Sequence, residues 1–483
     1  MNEKSMKKNF MISFLRTGIM LLVPLIIFPY VSRILGKEGV GQVQYIQSIA
    51  SYFQLFATFG ISSYGIREGA KRKGNLEALG KLCTELLLLN FITTTIALAA
   101  YAVTFFLEGL STYRELLLLY TAYILFYGLN LDWFFNVLED YVYITVRTCI
   151  VYGLALVIMF LFLKNSSDVN VYAIVLIFPY VGIFLGNFRQ MRRRVPLFRH
   201  SKYNLRQHIR PVALVFGIII SSSIYSLLDT TMLGILNGDA AVGLYTAASK
   251  LCRLVVQLIT AICAVFLPRL SYYVGKNETG KFREMALTSA NLIVFIAVPC
   301  SFGLLILAEQ AIWLFSGVGF LDAVPATRIL AVNLFFSAVD GFLGWQILVP
   351  NNRDKVLLGA TMLGAGTDFV LNLILIPLAG VEGAAVATLI SEVSVFGICL
   401  FYSAKYLNFA RLFGHCIKCM VASLPVFLIG LFVNNRIHSV IGSSILTVCL
   451  TVVVYLGTLI VTKDTFVCLI LKEIRRFFDK AVD

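Results

Sequence analysis

The sequence predicts an all-α integral membrane protein. Fourteen transmembrane helices are expected, as two six-helix lobes in parallel repeat followed by two C-terminal helices. Three observations carry this expectation. Of 483 residues, 59% are hydrophobic and 14% charged, with a mean hydropathy of +0.85; soluble domains carry about 25% charged residues. The apolar residues come in runs of about twenty, the length at which a helix crosses the hydrocarbon core. Lys and Arg gather on alternate connections, which is the bias of cytoplasmic loops.

Between breaks of charge, Gly, Pro or Asn, the runs lie at 10–35, 43–66, 82–106, 115–137, 142–163, 171–189 and 211–236. They continue at 242–268, 284–308, 326–349, 355–378, 382–404, 415–433 and 440–462. The basic start, MNEKSMKKNF, precedes an apolar run too long for a signal-peptide core and without a small-residue cleavage pattern, so the first run is expected to be a retained helix. With the N-terminus in the cytoplasm, 31 of the 40 Lys/Arg fall inside. Five fall outside (Lys37, Arg114, Lys164, Arg328, Arg436) and four within spans (Arg16, Arg33, Lys250, Arg253). A miscounted helix would invert every later loop and erase this asymmetry, so both termini are expected in the cytoplasm. The longest outer loop, about 309–325, has an apolar middle, Ile312-Trp313-Leu314-Phe315, suited to the membrane interface. No outer domain is large enough for an extracellular catalytic site.

The densest basic stretch, NFRQMRRRVPLFRHSKYNLRQHIRP at 187–211, holds eight Lys/Arg and no carboxylate. It must lie in water, and it divides the chain. An N-terminal lobe at 1–189 and a C-terminal lobe at 211–404 flank a cytoplasmic linker at 190–210, with helices 13 and 14 and a tail at 405–483. The formal charge of +14 would suggest nucleic acid in a soluble chain. Here the one-sided loops account for it, and no nucleic-acid partner is expected. The linker arginines are expected on anionic head groups, at about 1 kcal/mol per charge. The lobes echo one another: GKEGVG at 36–41 recurs as GDAAVG at 238–243, an offset of 202 residues, and GVEGA at 380–384 is a third version. Two bundles related by an axis along the membrane normal, with a site between them, is a transporter plan.

Ionisable groups inside spans are costly and face a cavity or a partner. Arg16 lies on the first span, and Lys250 and Arg253 form an i,i+3 pair on the eighth, extended by Thr246 and Gln257. The second span carries Gln44, Gln47, Ser51, Gln54 and Thr58; the fourth carries Tyr120, Tyr123, Tyr127 and Asn130, with Asp132 near its inner end. The tenth carries Asn333, Ser337 and Asp340, the seventh Asp229, and the eleventh Asp368 with Asn372. Together they describe a hydrated cationic cavity between the lobes. Arg16, Lys250 and Arg253 would attract an anionic head group, and the Tyr, Gln, Asn and Ser groups would hydrogen-bond and stack on sugars. The alternative is ion pairing within the bilayer, Asp229 with Lys250 or Arg253, together with helix–helix hydrogen bonds. Arg33 sits at the outer end of its span, where it can snorkel to water. Pro24 and Pro29 permit bending of the first span.

Covalent chemistry has no motif here. There is no P-loop lysine motif. Cys416-x-x-Cys419 follows His415 but has no second ligand pair at metal spacing, so neither metal nor cofactor is expected. His200, His208, His415 and His438 lie in loops or at helix ends and are expected to be solvated.

LIIFPYVSRILG at 25–36, FGISSYGIREGA at 59–70, LDTTMLG at 228–234, VGLYTAASK at 242–250 and LPRLS at 267–271 carry a family likeness. They resemble the bacterial polysaccharide repeat-unit flippases, the O-antigen and capsule transporters of the multidrug/oligosaccharidyl-lipid/polysaccharide exporter superfamily. FNVLEDYVYITVR at 135–147 resembles that family's loop after helix 4, with Val137 where a small residue is common. The resemblance implies a flippase of the bacterial plasma membrane. It would move polyprenyl-pyrophosphate-linked oligosaccharide from the inner to the outer leaflet by alternating access. It implies Arg16, Lys250 and Arg253 as pyrophosphate or cavity residues and the polyprenyl tail in lipid between helices 1 and 8. Membrane lipids and glycan polymerase machinery would be partners. A coupling ion, Na+ or H+, would use Asp132, Asp229, Asp340 or Asp368. The rivals are a multidrug or cation antiporter of the same superfamily, which would favour an acidic cavity; a peptidoglycan-precursor flippase; and a membrane glycan polymerase or ligase, which needs a larger outer loop.

Overall fold

The computed structural model describes residues 3–199, 203–436, 439–464 and 466–468. Its regular structure is helical. The first part of the chain forms α1 (Glu3–Thr58), α2 (Ile61–Ala70), α3 (Leu76–Ala102), α4 (Arg114–Gly128) and α5 (Asp132–Val137). Next come α6 (Tyr141–Phe162), α7 (Val169–Arg194), α8 (Arg206–Asn237), α9 (Asp239–Cys263) and α10 (Leu267–Gly275). The chain closes with α11 (Thr279–Ile306), α12 (Ala308–Ser316), α13 (Val324–Phe342), α14 (Asp354–Ser403), α15 (Phe409–Arg436) and α16 (Val440–Val461).

Among the described residues, eleven helical stretches are long and apolar enough to cross a membrane, and the protein is a multi-pass membrane protein. Two of them, Gly18–Ala70 and Asp354–Tyr406, are 53 residues long. At 1.5 Å per residue each would extend about 80 Å, more than twice the hydrocarbon thickness. Each is broken by a glycine outside helical geometry, Gly36 (φ 70°) and Gly380 (φ 53°). Positive φ is cheap for glycine alone. Both breaks fall where the sequence places outer turns.

Elsewhere the predicted runs are interrupted. The fourth run, expected as one helix over 115–137, divides into α4 and α5; at the break the Asn130 side chain accepts a hydrogen bond from the Asp132 backbone N–H at 2.7 Å, a local turn that competes with the helix. The eighth run ends at Cys263, and α10 begins anew with Pro268 in its first turn, where the missing N–H costs nothing. In the loop that the sequence places outside, the apolar middle falls in α12, an amphipathic helix of about two and a half turns with Ile312 and Phe315 buried and Leu314 exposed.

The chain divides into two compact units, Met1–Gly243 and Leu244–Asp483. This boundary falls within the first turns of α9, whereas the expected division falls at 190–210. In the first unit α1 packs on α3, α4, α6, α7 and α8. Its core joins Trp133, Phe134 and Phe135 of α5 to Leu79, Leu82 and Leu86 of α3. In the second unit α11 packs on α13 and α15, α13 on α14, and α15 on α16.

Candidate functional site

The first unit contains a cavity of about 470 Å³. Ser51, Gln54 and Thr58 reach it from the second half of α1, at the three- and four-residue spacing that puts side chains on one helix face. Ser62 of α2, Ser223 of α8, Tyr127 of α4 and Asn130 of the break after α4 complete the polar wall, with Leu55, Gly60, Ile219 and Leu227 between them. The helix itself satisfies the hydroxyls of α1: Ser51 Oγ donates to the Gln47 carbonyl at 2.7 Å, and Thr58 Oγ1 to the Leu55 carbonyl at 3.0 Å. Neither a carboxylate nor a cation lines the cavity among the described residues.

Ser51, Gln54, Tyr127 and Asn130, singled out in the sequence, meet in this cavity. Gln47 stands one turn before Ser51 on α1 and accepts a hydrogen bond from Gln44 at 3.0 Å. Tyr120 and Tyr123 lie behind the wall. Both are buried, and Tyr123 packs on Tyr127 (centroids 5.4 Å apart) and on Tyr180 (5.2 Å). Ser62 and Ser223 were not singled out. The signal for Ser223 was there in the Ser221-Ser222-Ser223 run of an otherwise apolar span.

The expected cations divide between units. Lys250, Arg253 and Gln257 belong to the second, where Arg253 and Gln257 are exposed and Lys250 is half-buried. Arg16 is on α1, and its side chain lies outside the described residues. Arg33 is exposed and donates to the Pro29 carbonyl at 2.6 Å. Of the carboxylates, Asp132 is bound: Arg147 Nη1 approaches it at 2.8 Å and Asn187 Nδ2 donates to it at 2.7 Å. Arg147 also donates to Asn187, so the three side chains close a ring. Asp229 is buried in α8. Asp368 is buried in α14 and accepts from Asn372 at 3.0 Å. Asn333, Ser337 and Asp340 are half-buried on α13.

Two histidines overturn the expectation of solvation. His208 is 1% exposed, with Nδ1 at 2.8 Å from the Tyr64 hydroxyl and Nε2 at 2.9 Å from Glu85. His415 is 3% exposed and bridges Asp464 (2.9 Å) and the Asn291 carbonyl (3.1 Å). Each is held inside because it satisfies a buried carboxylate from a distant part of the chain, which position along the sequence does not reveal. His200 and His438 lie outside the described residues. Among the described residues, no group of three or more His, Cys, Asp or Glu could hold a metal.

With this geometry in view, the comparisons with known proteins fit one picture. The family described as polysaccharide biosynthesis protein matches residues 6–274, more than half of the chain. A protein from Shigella dysenteriae named as an O-antigen transporter is 25% identical over 407 residues, covering 81% of this chain and 98% of that one. A Haloferax volcanii protein named as a low-salt glycan biosynthesis flippase is 25% identical over 228 residues, 47% of this chain and 46% of that one. Among solved structures, a lipid II flippase in an inward closed conformation has a TM-score of 0.72 at 15% identity, over 94% of this chain and 99% of that one. An inward-facing MATE multidrug transporter has a TM-score of 0.59 at 16% identity, over 83% of this chain and 95% of that one. At such identities the likeness is one of fold alone. These relatives carry the names of transporters and flippases, not of enzymes. On the family match over more than half its length, carried by a fold shared with lipid and drug exporters, this chain belongs to the polysaccharide biosynthesis protein family.

Proposed function

We propose that the protein is a flippase that carries polyprenyl-pyrophosphate-linked oligosaccharide repeat units from the inner to the outer leaflet of the bacterial plasma membrane by alternating access. The observation that carries this reading is the chemistry of the cavity. Its described polar wall is made of hydroxyls, amides and a phenol, without a carboxylate. Such a wall suits neutral sugar hydroxyls. A drug cation would leave its charge uncompensated there, which is costly in a low-dielectric site. At about 470 Å³ the cavity falls within the range of about 300–1,000 Å³ of ligand sites.

The topology is proposed with it. The two 53-residue stretches fold back at Gly36 and Gly380 and cross twice, and the 32-residue α8 adds a crossing to the remaining spans. This reading gives fourteen crossings, both termini in the cytoplasm, and two six-helix lobes joined by a basic linker at 190–210. Arg16, Lys250 and Arg253 bind the pyrophosphate, and the polyprenyl tail stays in lipid. Asp229, Asp340 and Asp368 are the sites for a coupling ion, Na+ or H+, whereas Asp132 already serves Arg147. The delivered repeat unit passes to glycan polymerase machinery.

The test is lipid analysis of a deletion strain. A lipid-linked repeat unit accumulates on the inner leaflet and surface glycan is lost, and the accumulated species names the sugar. Retention of a cationic dye in the deletion strain, with normal surface glycan, would instead assign the protein to drug export.

A further inference from the structure

A second cavity, of about 770 Å³, lies in the first unit between α6 and α7, and the transport reading does not use it. Its wall is apolar along α6 and basic at the end of α7. Gly182 and Gly186 make the room. A Cβ on Gly182 would meet Val151 at 2.9 Å, so the helices close at that level, and α7 presents no side chain at either glycine. Below them Arg189 and Arg193 follow one turn apart, both exposed, and no carboxylate pairs with either among the described residues. The other two arginines of the groove are neutralised, Arg147 by Asp132 at 2.8 Å and Arg194 by Asp140 at 2.6 Å. Arg147 keeps one unused donor. It is 7% exposed and lines the groove, yet its buried Nε–H has no hydrogen-bond partner.

The apolar wall continues beyond the groove. Val142, Val146, Ile150, Leu154, Val157 and Leu161 are all exposed and recur at helical spacing. At 1.5 Å per residue this stripe runs about 28 Å, close to the hydrocarbon thickness. A stripe of that length, ending in two free guanidinium groups, matches a molecule with a long hydrocarbon chain and an anionic head.

We propose that the groove between α6 and α7 is a selective seat for an anionic glycerophospholipid. Arg189 and Arg193 take its phosphate, and an acyl chain runs along Val142, Val146 and Ile150. The occupant is a structural lipid of the surrounding leaflet, distinct from the transported glycolipid, and its retention requires no transport.

Native mass spectrometry of the full-length protein tests this. Protein in mild detergent is offered equal amounts of phosphatidylglycerol and phosphatidylcholine with identical acyl chains. Wild type is expected to retain the anionic lipid about tenfold over the zwitterionic one. Arg189→Gln with Arg193→Gln should bring that ratio close to one. Val146→Trp, which fills the groove at an exposed position and leaves the arginines intact, should lower phosphatidylglycerol occupancy with the same monodisperse elution. Undiminished selectivity in the double glutamine variant, or undiminished phosphatidylglycerol occupancy in Val146→Trp, overturns the proposal. Displacement of phosphatidylglycerol by inorganic phosphate would reduce the site to a phosphate site without a chain seat. Equimolar displacement by polyprenyl pyrophosphate would hand the groove to the substrate. Both results would overturn it as well.

Discussion

Gly41 packs so closely on the carbonyl oxygen of Asp239 that a Cβ at Gly41 would stand 1.8 Å from it. The contact is reciprocated: a Cβ at Gly243 would stand 2.0 Å from the carbonyl oxygen of Lys37. In GKEGVG at 36–41 and GDAAVG at 238–243 these are the same two positions, so the sixth residue of each turn rests on the second residue of the other. The Asp239 side chain is fixed as well, since the Tyr113 hydroxyl donates to both its oxygens, at 2.8 and 2.9 Å. A sequence echo thus becomes a clasp inside the first unit.

Gly41→Ala and Gly243→Ala should each destabilise the protein. The added methyl meets backbone, which cannot rotate away, and overpacking costs about 1–3 kcal/mol or more. Gly153→Ala is the control. It lies in α6 with nothing within 4 Å of its Cβ, and alanine there should be neutral or stabilising by up to about 1 kcal/mol. Thermal unfolding in detergent checks this. Equal melting temperatures for Gly41→Ala and wild type would show that the clasp carries no packing strain.

Arg147→Ala should be among the most damaging single changes outside the cavity. It leaves Asp132 and Asn187 without their common partner, and breaking a buried pair on one side costs about 3–5 kcal/mol. Asp132 is partly exposed, so the lower end applies. The double change Arg147→Met with Asp132→Asn should recover much of the loss, because no uncompensated charge remains. If the double variant melts no higher than Arg147→Ala, the ion pair is not what the single change breaks.

Much of this fold was legible in the sequence, because hydropathy and glycine turns are local signals. The breaks at Gly36 and Gly380 coincide with the gaps between predicted runs, and Ser51, Gln54, Tyr127 and Asn130 line one cavity of the first unit, although the sequence places them in a cationic cavity between the lobes. What was missed depends on pairing across distance. The charge pattern counts Arg147 among the cytoplasmic cations, yet it is buried against residues 15 and 40 positions away. Its place near a helix end predicts a solvated His208, yet that ring serves Glu85, 123 positions away. No spacing rule connects such partners, since helix packing alone brings them together.

Asp168 offers a pH test outside the membrane-spanning segments. Its carboxylate accepts the backbone N–H groups of Lys164 (2.9 Å) and Asn165 (2.7 Å), and these bonds hold its pKa below the ordinary 3.8. A depressed carboxylate supports the loop fully above its unfolded pKa and loses that support as pH falls through the lower folded value. Hydrogen exchange at Lys164 and Asn165 should therefore stay protected at neutral pH. Protection should disappear in Asp168→Ala at the same pH. Equal exchange in the variant would remove the cap from the loop's account.

Lys250→Ala with Arg253→Ala tests the cationic site most directly. The two side chains share one face of α9 at i,i+3 spacing, and Thr246 and Gln257 extend that face by one turn at either end. Charge-assisted hydrogen bonds contribute about 1.5–3 kcal/mol each, so losing both should weaken a bound pyrophosphate by a factor on the order of a hundred or more. Surface glycan should fall accordingly while the amount of protein in the membrane is unchanged. Lys250→Arg with Arg253→Lys keeps both charges and should restore most of it, which a purely packing role of these stems would not require. Normal surface glycan in the double alanine variant would discard the cationic site and leave the neutral cavity of the first unit as the part that holds the glycan.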